Sequence, residues 1–349
     1  HAGTQDSRGY PRLTRVPKTH PEGTLGSMYA ATMTAVDTLV VGDRPDPQPA
    51  ADEVLIRVEA SAVCRTDLQI LHGDLPTHRL PLIPGHQVVG EVLTPGRLQG
   101  RRVGLVWLAQ ACGVCRFCRR DRENLCESAQ FTGWDRDGGY AQLVTAKTDF
   151  VHPLPEGDPE AIAPLLCGGV IGFRSLRVAG IGPGSAGRRL GLFGFGASAT
   201  IAIQVANHWG CESYVVTRSA AEAERARALG AAWAGTYDER LPVPLDAAVT
   251  FAPSGDVVLA ALRAVDRGAA VAINAIHLDR IPRFDYDDLW WERSLRSVAN
   301  VTRADVRDFL ALVPQAGIRT QYETLPLSEA PTALQRLEAG DVRGAFVLI

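Results

Sequence analysis

The fold is decided by the stretch Gly191-Leu192-Phe193-Gly194-Phe195-Gly196-Ala197-Ser198-Ala199. Residues 190–193 are a short apolar run typical of a buried strand, and residues 198–209 have the pattern of a helix. The turn between them has the form GxGxxA. Gly194 permits a tight turn, Gly196 permits close approach to the backbone, and Ala199 still allows close packing. An ordinary glycine-rich turn is the alternative, but the order strand, turn and helix favours a pyrophosphate site at the helix N-terminus.

Further β-like and helical runs alternate through the middle of the chain. The β-like runs are residues 213–216, 247–251 and 269–273, and the helical runs are residues 220–229 and 257–264. This alternation predicts a parallel, doubly wound α/β sheet. Short β-like runs dominate the earlier part of the chain, at residues 54–58, 87–92, 103–107 and 141–144. The last segment has helical runs at residues 303–313 and 328–339 and a strand-like end at residues 346–349.

Composition bounds the partners of the chain. Its 349 residues suffice for two domains, and 46% hydrophobic with 21% charged residues is a normal globular balance. The net charge of −3 gives no basic footprint for nucleic acid and no cationic face for a membrane. No uninterrupted apolar run approaches the length of a membrane span, and the first residues lack the hydrophobic segment of a secretory signal. We interpret residues 1–27 as a vector-derived leader, with natural sequence starting at Met28.

Four of the seven cysteines form a compact motif. Cys112, Cys115, Cys118 and Cys126 have the spacing Cx2CxxCx7C. Thiolates three residues apart in a tight turn can reach one zinc ion, and four of them complete a closed, structural site. Free cysteines, an iron–sulfur cluster and a nucleic-acid-binding zinc knuckle are the alternatives. CxxC spacing in a chain of this size favours metal over disulfides and predicts a reducing, cytoplasmic compartment.

Three further motifs lie elsewhere in the chain: Ala62-Val63-Cys64-Arg65-Thr66-Asp67, Pro84-Gly85-His86-Gln87-Val88-Val89-Gly90 and Pro164-Leu165-Leu166-Cys167-Gly168-Gly169. With the four-cysteine loop and the glycine turn, they follow the order seen in medium-chain zinc-dependent alcohol dehydrogenases, and the chain resembles that family from Met28 to Ile349. The resemblance implies a GroES-like β-rich catalytic domain plus a Rossmann doubly wound parallel sheet. The catalytic domain would comprise residues 28–168 and 302–349, with both zinc sites, and the cofactor domain residues 169–301.

The resemblance also implies a catalytic zinc held by Cys64, His86 and Cys167, with water or substrate in the fourth position. Zinc lowers the pKa of a bound alcohol and polarises an aldehyde or ketone in the reverse direction. The implied activity is reversible hydride transfer between a primary or secondary alcohol and NAD(P). Asp67 matches the carboxylate that orients the ligand histidine, and Thr66 matches the hydroxyl that takes the substrate's proton.

Two positions depart from the family pattern. Gln87 replaces the glutamate that usually follows the ligand histidine, which removes a negative charge near the metal. Gln69 replaces a histidine that often ends the proton relay, and an amide cannot exchange a proton at neutral pH. We therefore hypothesise that the proton leaves Thr66 through the cofactor ribose and water, or towards His72.

The cofactor residues suggested by the glycine turn and the resemblance are Arg65, Gly194, Gly196, Ala197, Ser198, Ala199, Thr217, Arg218, Asn274, Ala275 and Ile276. Arg65 matches a position that often contacts the pyrophosphate, and residues 274–276 match the stretch that holds the nicotinamide carboxamide. Thr217 stands where an NAD-specific site usually has an acidic residue, and Arg218 can pair with a 2′-phosphate. These two residues favour NADP(H); in the alternative, Arg218 stacks on the adenine of NAD.

The substrate pocket has four candidate residues. Trp107 and Leu108 lie in a region that often lines the cleft in the family, and Trp134 and His72 are further candidates. Such groups favour a small or medium alcohol or aldehyde over a charged substrate. We expect a homodimer or homotetramer. The alternatives are a reductase for larger aldehydes and a non-catalytic scaffold that keeps the fold and the structural zinc.

Overall fold

The structure, a computed structural model, describes residues 26–349. The strands of this part of the chain are β1 (Ser27–Ala35), β2 (Thr38–Pro45), β3 (Glu53–Ala62), β4 (Val88–Val92), β5 (Arg102–Leu105), β6 (Leu108–Gln110), β7 (Gln130–Phe131), β8 (Leu143–Lys147), β9 (His152–Pro153), β10 (Arg189–Phe193), β11 (Glu212–Thr217), β12 (Trp233–Thr236), β13 (Ala247–Thr250), β14 (Ala270–Ile273), β15 (Ser294–Ser297), β16 (Tyr322–Leu325) and β17 (Ala345–Leu348). The helices are α1 (Arg65–Leu71), α2 (Pro159–Ile162), α3 (Gly168–Val178), α4 (Ala197–His208), α5 (Ala220–Ala228), α6 (Gly255–Ala264), α7 (Tyr286–Leu289), α8 (Arg303–Ala316) and α9 (Ala330–Glu338).

A six-stranded parallel sheet contains the glycine turn. Its strand order is β12-β11-β10-β13-β14-β15, so the strand order reverses between β10 and β13. Alternate residues of β10 enter different apolar clusters: Leu190 and Leu192 pack with α3, α4 and α8, whereas Phe193 packs with α6. Because successive side chains of a strand point to opposite faces, helices cover both faces of this sheet. The prediction of a doubly wound parallel sheet is therefore confirmed, and its crevice lies where dinucleotides bind in such folds.

A second, seven-stranded sheet carries the residues around the first cysteine motif. Its order is β16-β17-β3-β4-β5-β9, with β8 also paired to β3. The C-terminal strand β17 pairs antiparallel with the end of β3, where Val347 lies opposite Ala62. Val63 then donates its amide to the carbonyl of Phe346 at 2.8 Å. The chain just before Cys64 is thus held by a strand from the other end of the sequence.

One apolar stretch, Pro159–Val178, is long and apolar enough to cross a membrane by length and composition alone. It is not an uninterrupted apolar run, because it includes Glu160, Arg174 and Arg177. In addition, 61% of its apolar window is buried inside the protein. The stretch is also interrupted at Cys167, whose φ of −126° and ψ of −71° are not helical, so it consists of α2, a 3₁₀ turn and α3. These observations fit the core of a globular protein.

The interpretation of residues 1–27 as a leader falls outside the described residues except for its last two positions. Of these, Ser27 begins β1 and pairs with Pro45 of β2.

The start of α8 is fastened to α3 by a buried carboxylate. Thr302 is the N-cap of α8: its hydroxyl accepts from the amide of Asp305 at 3.0 Å, and Asp305 accepts from the amide of Thr302 at 3.0 Å. Arg174 and Arg177 of α3 donate to the same carboxylate at 2.5 Å and 3.1 Å. Burial alone would raise the pKa of Asp305, but the Thr302 amide and the Arg174 guanidinium hold it below its ordinary value.

We expect Asp305→Asn to lower the free energy of unfolding by about 1–3 kcal/mol, because it weakens a helix cap and a buried charge-assisted pair. The matched control is Asp308→Asn, which removes a 38% exposed partner of Arg177 and should change the free energy by less than about 1 kcal/mol. Urea unfolding followed by circular dichroism measures both.

Because the folded-state pKa of Asp305 is depressed, its contribution to the free energy of unfolding is present above its ordinary pKa and is lost as the pH falls through the folded-state value. Equal effects of the two substitutions at neutral pH would contradict this role.

Candidate active site

Three predicted metal ligands from distant parts of the chain lie together. Cys64 is the N-cap of α1, His86 precedes β4, and Cys167 is the N-cap of α3. Their ligand atoms all lie within 4.8 Å of one another. His86 is buried, and the two cysteines are half-buried. Two sulfurs and an imidazole nitrogen form a donor set that suits zinc and leaves one of four tetrahedral positions open.

The carboxylate of Asp67 is hydrogen-bonded to two of these three residues. Asp67 has no exposed surface, and three groups contact it: His86 Nδ1 at 2.9 Å, the amide of Cys64 at 2.9 Å and the hydroxyl of Tyr140 at 2.9 Å. The contact with Nδ1 leaves Nε2 of His86 to face the two sulfurs. A carboxylate on one imidazole nitrogen fixes the tautomer and makes the other nitrogen a better ligand.

The ionisation of the cluster follows from these contacts. Burial opposes the charged imidazolium, but the Asp67 carboxylate prevails and raises the pKa of His86 to about 10. A hydrogen bond from Cys167, supported by His86, lowers the pKa of the Cys64 thiol well below its ordinary value. The same bond raises the pKa of Cys167. Without a metal, these shifts favour a Cys64 thiolate beside a protonated His86; a metal ion would replace the imidazolium proton, because metal ligation requires the thiolate and the neutral imidazole.

The four-cysteine loop also brings its sulfurs together. Cys112, Cys115, Cys118 and Cys126 place their Sγ atoms within 4.8 Å of one another. Backbone amides point at these sulfurs: that of Cys115 lies 3.3 Å from Cys112 Sγ, and that of Cys112 lies 3.3 Å from Cys126 Sγ. The amide of Cys118 is the main reason that the pKa of Cys115 falls to about 6. Three of the four sulfurs accept hydrogen bonds from backbone amides, and four sulfurs this close together fit a tetrahedral thiolate site with no open position.

The remaining residues near the first motif are placed as follows. Thr66 is half-buried and Arg65 exposed on α1, next to Cys64. Gln87 is buried and its Nε2 donates to the carbonyl of Ala62 at 3.2 Å, so its amide is used to hold β3 beside Cys64. His72, the C-cap of α1, has Nδ1 2.5 Å from Asp37 and Nε2 3.4 Å from Glu338. Both ring nitrogens thus face carboxylates of other elements.

Aromatic rings lie against the cluster. Trp107 meets the His86 ring edge-on at a centroid distance of 5.1 Å. It also stacks on Phe131 at 5.0 Å and on Trp134 at 5.7 Å. Leu108 begins β6 and is 2% exposed. Trp107 and Trp134, both suggested by the sequence as pocket residues, are therefore in one stack beside the predicted metal ligands.

The glycine turn has room for a phosphate. Gly194 has a φ of +91°, and a Cβ there would lie 3.0 Å from the amide nitrogen of Ala252, so only glycine fits without strain. Gly196 is the N-cap of α4, and a Cβ there would meet nothing within 4 Å. Ala197 is exposed, Ser198 half-buried and Ala199 buried in the first turn. The open space at the N-terminus of α4 fits a pyrophosphate.

The glycine turn lies next to the cluster of Cys64, His86 and Cys167. Gly168, directly after Cys167, packs on Ser198: a Cβ at Gly168 would lie 3.4 Å from Ser198 Oγ. The predicted carboxamide stretch is at the end of β14, where the amide of Asn274 donates to Thr250 at 2.9 Å. Ala275 follows half-buried and Ile276 is 50% exposed.

The end of β11 lies next to a negative charge, Glu222, that was not among the predicted cofactor residues. Thr217 is buried, and its hydroxyl donates to the carboxylate of Glu222 in α5, while Arg218 is exposed. Ser219 caps α5 by accepting from the amide of Glu222 at 3.2 Å. Arg225 donates to the carbonyl of Phe195 in the glycine turn at 2.6 Å. Two arginines and one carboxylate therefore surround this strand end, rather than Arg218 alone.

Two of these functional contacts were missed by sequence reasoning. Tyr140 lies 73 positions from Asp67 and follows two glycines, a sequence that is typical of a turn but indicates no contact with Asp67. Glu222 had a local signal, because it stands three residues after the helix cap Ser219 and five after Thr217. Capping chemistry could therefore have found Glu222, whereas only the folded chain reveals Tyr140.

Comparison with known proteins agrees with this geometry. Residues 50–156 match the family model described as the alcohol dehydrogenase GroES-like domain. The chain is 49% identical to a probable alcohol dehydrogenase, AdhA, of Mycobacterium tuberculosis, over 87% of this chain and 90% of that one. It is 32% identical to an alcohol dehydrogenase of Geobacillus stearothermophilus, over 86% and 93% of the two chains.

Among solved structures, that of AibC superposes with a TM-score of 0.85 at 26% identity, over 96% of this chain and 99% of that one. The sequence resemblance inferred from the motifs is confirmed by these relatives, and the combination of a GroES-like domain with a Rossmann sheet is confirmed with it. The chain belongs to the medium-chain zinc-dependent alcohol dehydrogenase family.

Proposed function

We propose that this protein catalyses reversible hydride transfer between a small or medium primary or secondary alcohol and a nicotinamide dinucleotide, with zinc at Cys64, His86 and Cys167. The observation that carries the proposal is the convergence of these three ligand atoms within 4.8 Å, next to the glycine turn through Gly168 and Ser198. Such a site needs an electrophilic metal, a hydride acceptor and a route for one proton, and this chain offers residues for each.

Zinc would act as a Lewis acid on the substrate oxygen, and the nicotinamide would accept the hydride. Asp67 holds His86 by Nδ1 so that Nε2 stays directed at the metal position. Thr66, on the first turn of α1, would accept the alcohol proton through its hydroxyl and pass it to the cofactor ribose and water. The stack of Trp107, Phe131 and Trp134 would exclude water and line the pocket.

The wider organisation follows the same proposal. The catalytic domain comprises residues 28–168 and 302–349, and the cofactor domain residues 169–301. Cys112, Cys115, Cys118 and Cys126 would hold a second, structural zinc. The N-terminus of α4 would bind the pyrophosphate through Gly194, Gly196, Ala197, Ser198 and Ala199, and Arg65 of α1 would pair with it. Residues 274–276 would hold the nicotinamide carboxamide.

The function is tested by metal analysis and initial rates on the purified full chain, with NADH and NADPH against a panel of aldehydes and ketones. We expect two zinc ions per chain and measurable turnover. Cys167→Ser should leave one zinc and abolish turnover, because the four-cysteine site does not depend on it. One zinc in the parent with no turnover on any substrate would instead favour the non-catalytic scaffold. Preference for the larger aldehydes in the reducing direction would favour the reductase.

We expect Tyr140→Phe to lower kcat/KM or zinc affinity about tenfold, because it removes one of the three donors that hold the Asp67 carboxylate. Tyr214→Phe is the matched control: its hydroxyl donates to Glu212 of the same strand, β11, at 3.2 Å, within the six-stranded parallel sheet. The control should leave both quantities within about twofold of the parent. If Tyr140→Phe behaves like the control, Tyr140 does not support the site.

The cofactor is proposed to be NADP(H). Thr217 contributes no charge of its own, Arg218 is exposed at the strand end, and Arg225 adds a second cation nearby. The Glu222 carboxylate, which accepts from the Thr217 hydroxyl, opposes a 2′-phosphate, and Arg225 is already bonded to the Phe195 carbonyl. The two guanidinium charges against one carboxylate charge support the phosphate form.

We expect Arg218→Ala to lower kcat/KM for NADPH about tenfold or more, because a charged hydrogen bond contributes about 1.5–3 kcal/mol, and to change the NADH value less than about threefold. Glu222→Gln should raise the NADPH value several-fold by removing the opposing charge. Arg307→Ala, on an exposed arginine of α8, should change neither value. Equal losses with NADPH and NADH in Arg218→Ala would show that Arg218 does not pair with a 2′-phosphate.

A further inference from the structure

The indole nitrogen of Trp107 is hydrogen-bonded to a residue from a distant segment of the chain. Trp107 is 8% exposed and contacts the His86 ring edge-on. Its Nε1 donates to Oδ1 of Asn300 at 3.1 Å. A buried indole N–H needs such a partner, and this one fixes the ring about its own axis. The orientation of the aromatic wall beside His86 is therefore set by a residue that follows β15, 193 positions away.

The backbone of Asn300 is shaped for this contact. Asn300 has a φ of +54°, a left-handed conformation that asparagine adopts more readily than most residues. Its other side-chain atom, Nδ2, donates to the carbonyl of Asn124 at 3.0 Å. The amide group is thus fully oriented, with its oxygen towards Trp107 and its nitrogen towards the four-cysteine loop.

The four-cysteine loop holds the segment around Asn300 by further bonds. Asn124, 2% exposed and two residues before Cys126, donates to the carbonyl of Ala299 at 2.9 Å. Next to it, Glu123 accepts from the amide of Arg303 at 3.0 Å and from its Nε at 3.3 Å. Hydrogen bonds therefore hold residues 299–303 against residues 123–124 of the four-cysteine loop. Asn300, within that segment, is also the residue that bonds to Trp107.

We propose that Asn300 is a positioning residue that orients Trp107, and that it thereby sets how sharply the pocket discriminates among alcohols by size. The selectivity part rests on the proposed function, whereas the positioning part does not. Without the Asn300 oxygen, the indole loses the bond that opposes its rotation, and the stack beside His86 loosens. A pocket whose aromatic wall can move gives more similar kcat/KM values for large and small alcohols, because discrimination by size needs a pocket of fixed shape.

Two substitutions separate the side chain from the backbone. Asn300→Gly keeps the left-handed conformation and removes both hydrogen bonds. Asn300→Asp keeps an oxygen for Trp107 Nε1 and removes the donor to Asn124. The matched control is Asp121→Gly, because Asp121 has the same φ of 54° and is exposed in the four-cysteine loop. It reports what a glycine does at such a position without touching Trp107.

The first readout does not need catalysis. Exchange of the Trp107 indole N–H with deuterium is followed by NMR, with the signal assigned from Trp107→Phe. We expect exchange to be at least about tenfold faster in Asn300→Gly than in the parent, and close to the parent in Asn300→Asp and Asp121→Gly. Unchanged protection in Asn300→Gly would overturn the positioning role.

The second readout is the spread of kcat/KM across alcohols from ethanol to benzyl alcohol. We expect this spread to shrink about tenfold in Asn300→Gly and to stay within about threefold of the parent in Asn300→Asp and Asp121→Gly. In a Trp107→Phe background, Asn300→Gly should have no further effect, since the indole N–H is gone. An equal effect in both backgrounds, or faster exchange with an unchanged spread, would overturn the selectivity role. A parent without turnover on any alcohol contradicts the proposed function instead, and the exchange result still decides the positioning role.

Discussion

A carboxylate with no exposed surface is costly in a protein interior unless donors surround it, and Asp67 is such a group. Cys64 supplies one of those donors from the N-cap of the same helix, and His86 and Tyr140 supply the others from 19 and 73 positions away. Gly85 allows this arrangement, because a Cβ there would lie 2.4 Å from the Tyr140 ring. The position of His86, and with it the geometry of the candidate metal site, depends on satisfying this one charge.

Local patterns predicted the elements well wherever neighbours in sequence decide the structure. The run from residue 190 to 193 is β10, and the helical run after the glycine turn is α4, because apolar periodicity and Gly194 act within a few residues. The four-cysteine cluster was predictable for the same reason: its spacing alone brings four sulfurs to one turn. The three other ligands converge only in the folded chain, and there the family resemblance supplied what spacing could not.

Contacts between distant side chains were beyond the sequence. The bond from Tyr140 to Asp67 and that from Trp107 to Asn300 each join segments that no periodicity relates. Glu222 shows a milder case, since its place in α5 was predicted but the direction of its carboxylate towards Thr217 was not. The charge of a binding site depends on all the residues that surround it in the folded chain. Thr217 and Arg218 alone therefore gave an incomplete account of the charge around the cofactor. His72 and Gln87 likewise acquire partners, Asp37 and Ala62, that only packing reveals.

The pairing of β17 with β3 has a consequence for the order in which the two cysteine clusters can assemble during folding. Ala62 and Val63, just before Cys64, are held by Val347 and Phe346, so closing this contact means closing a loop that contains most of the chain. The four-cysteine cluster lies within residues 112–126 and needs only a short loop to close. Closing a long loop costs more chain entropy than closing a short one, so the four sulfurs can come together before the segment that carries Cys64 is fixed.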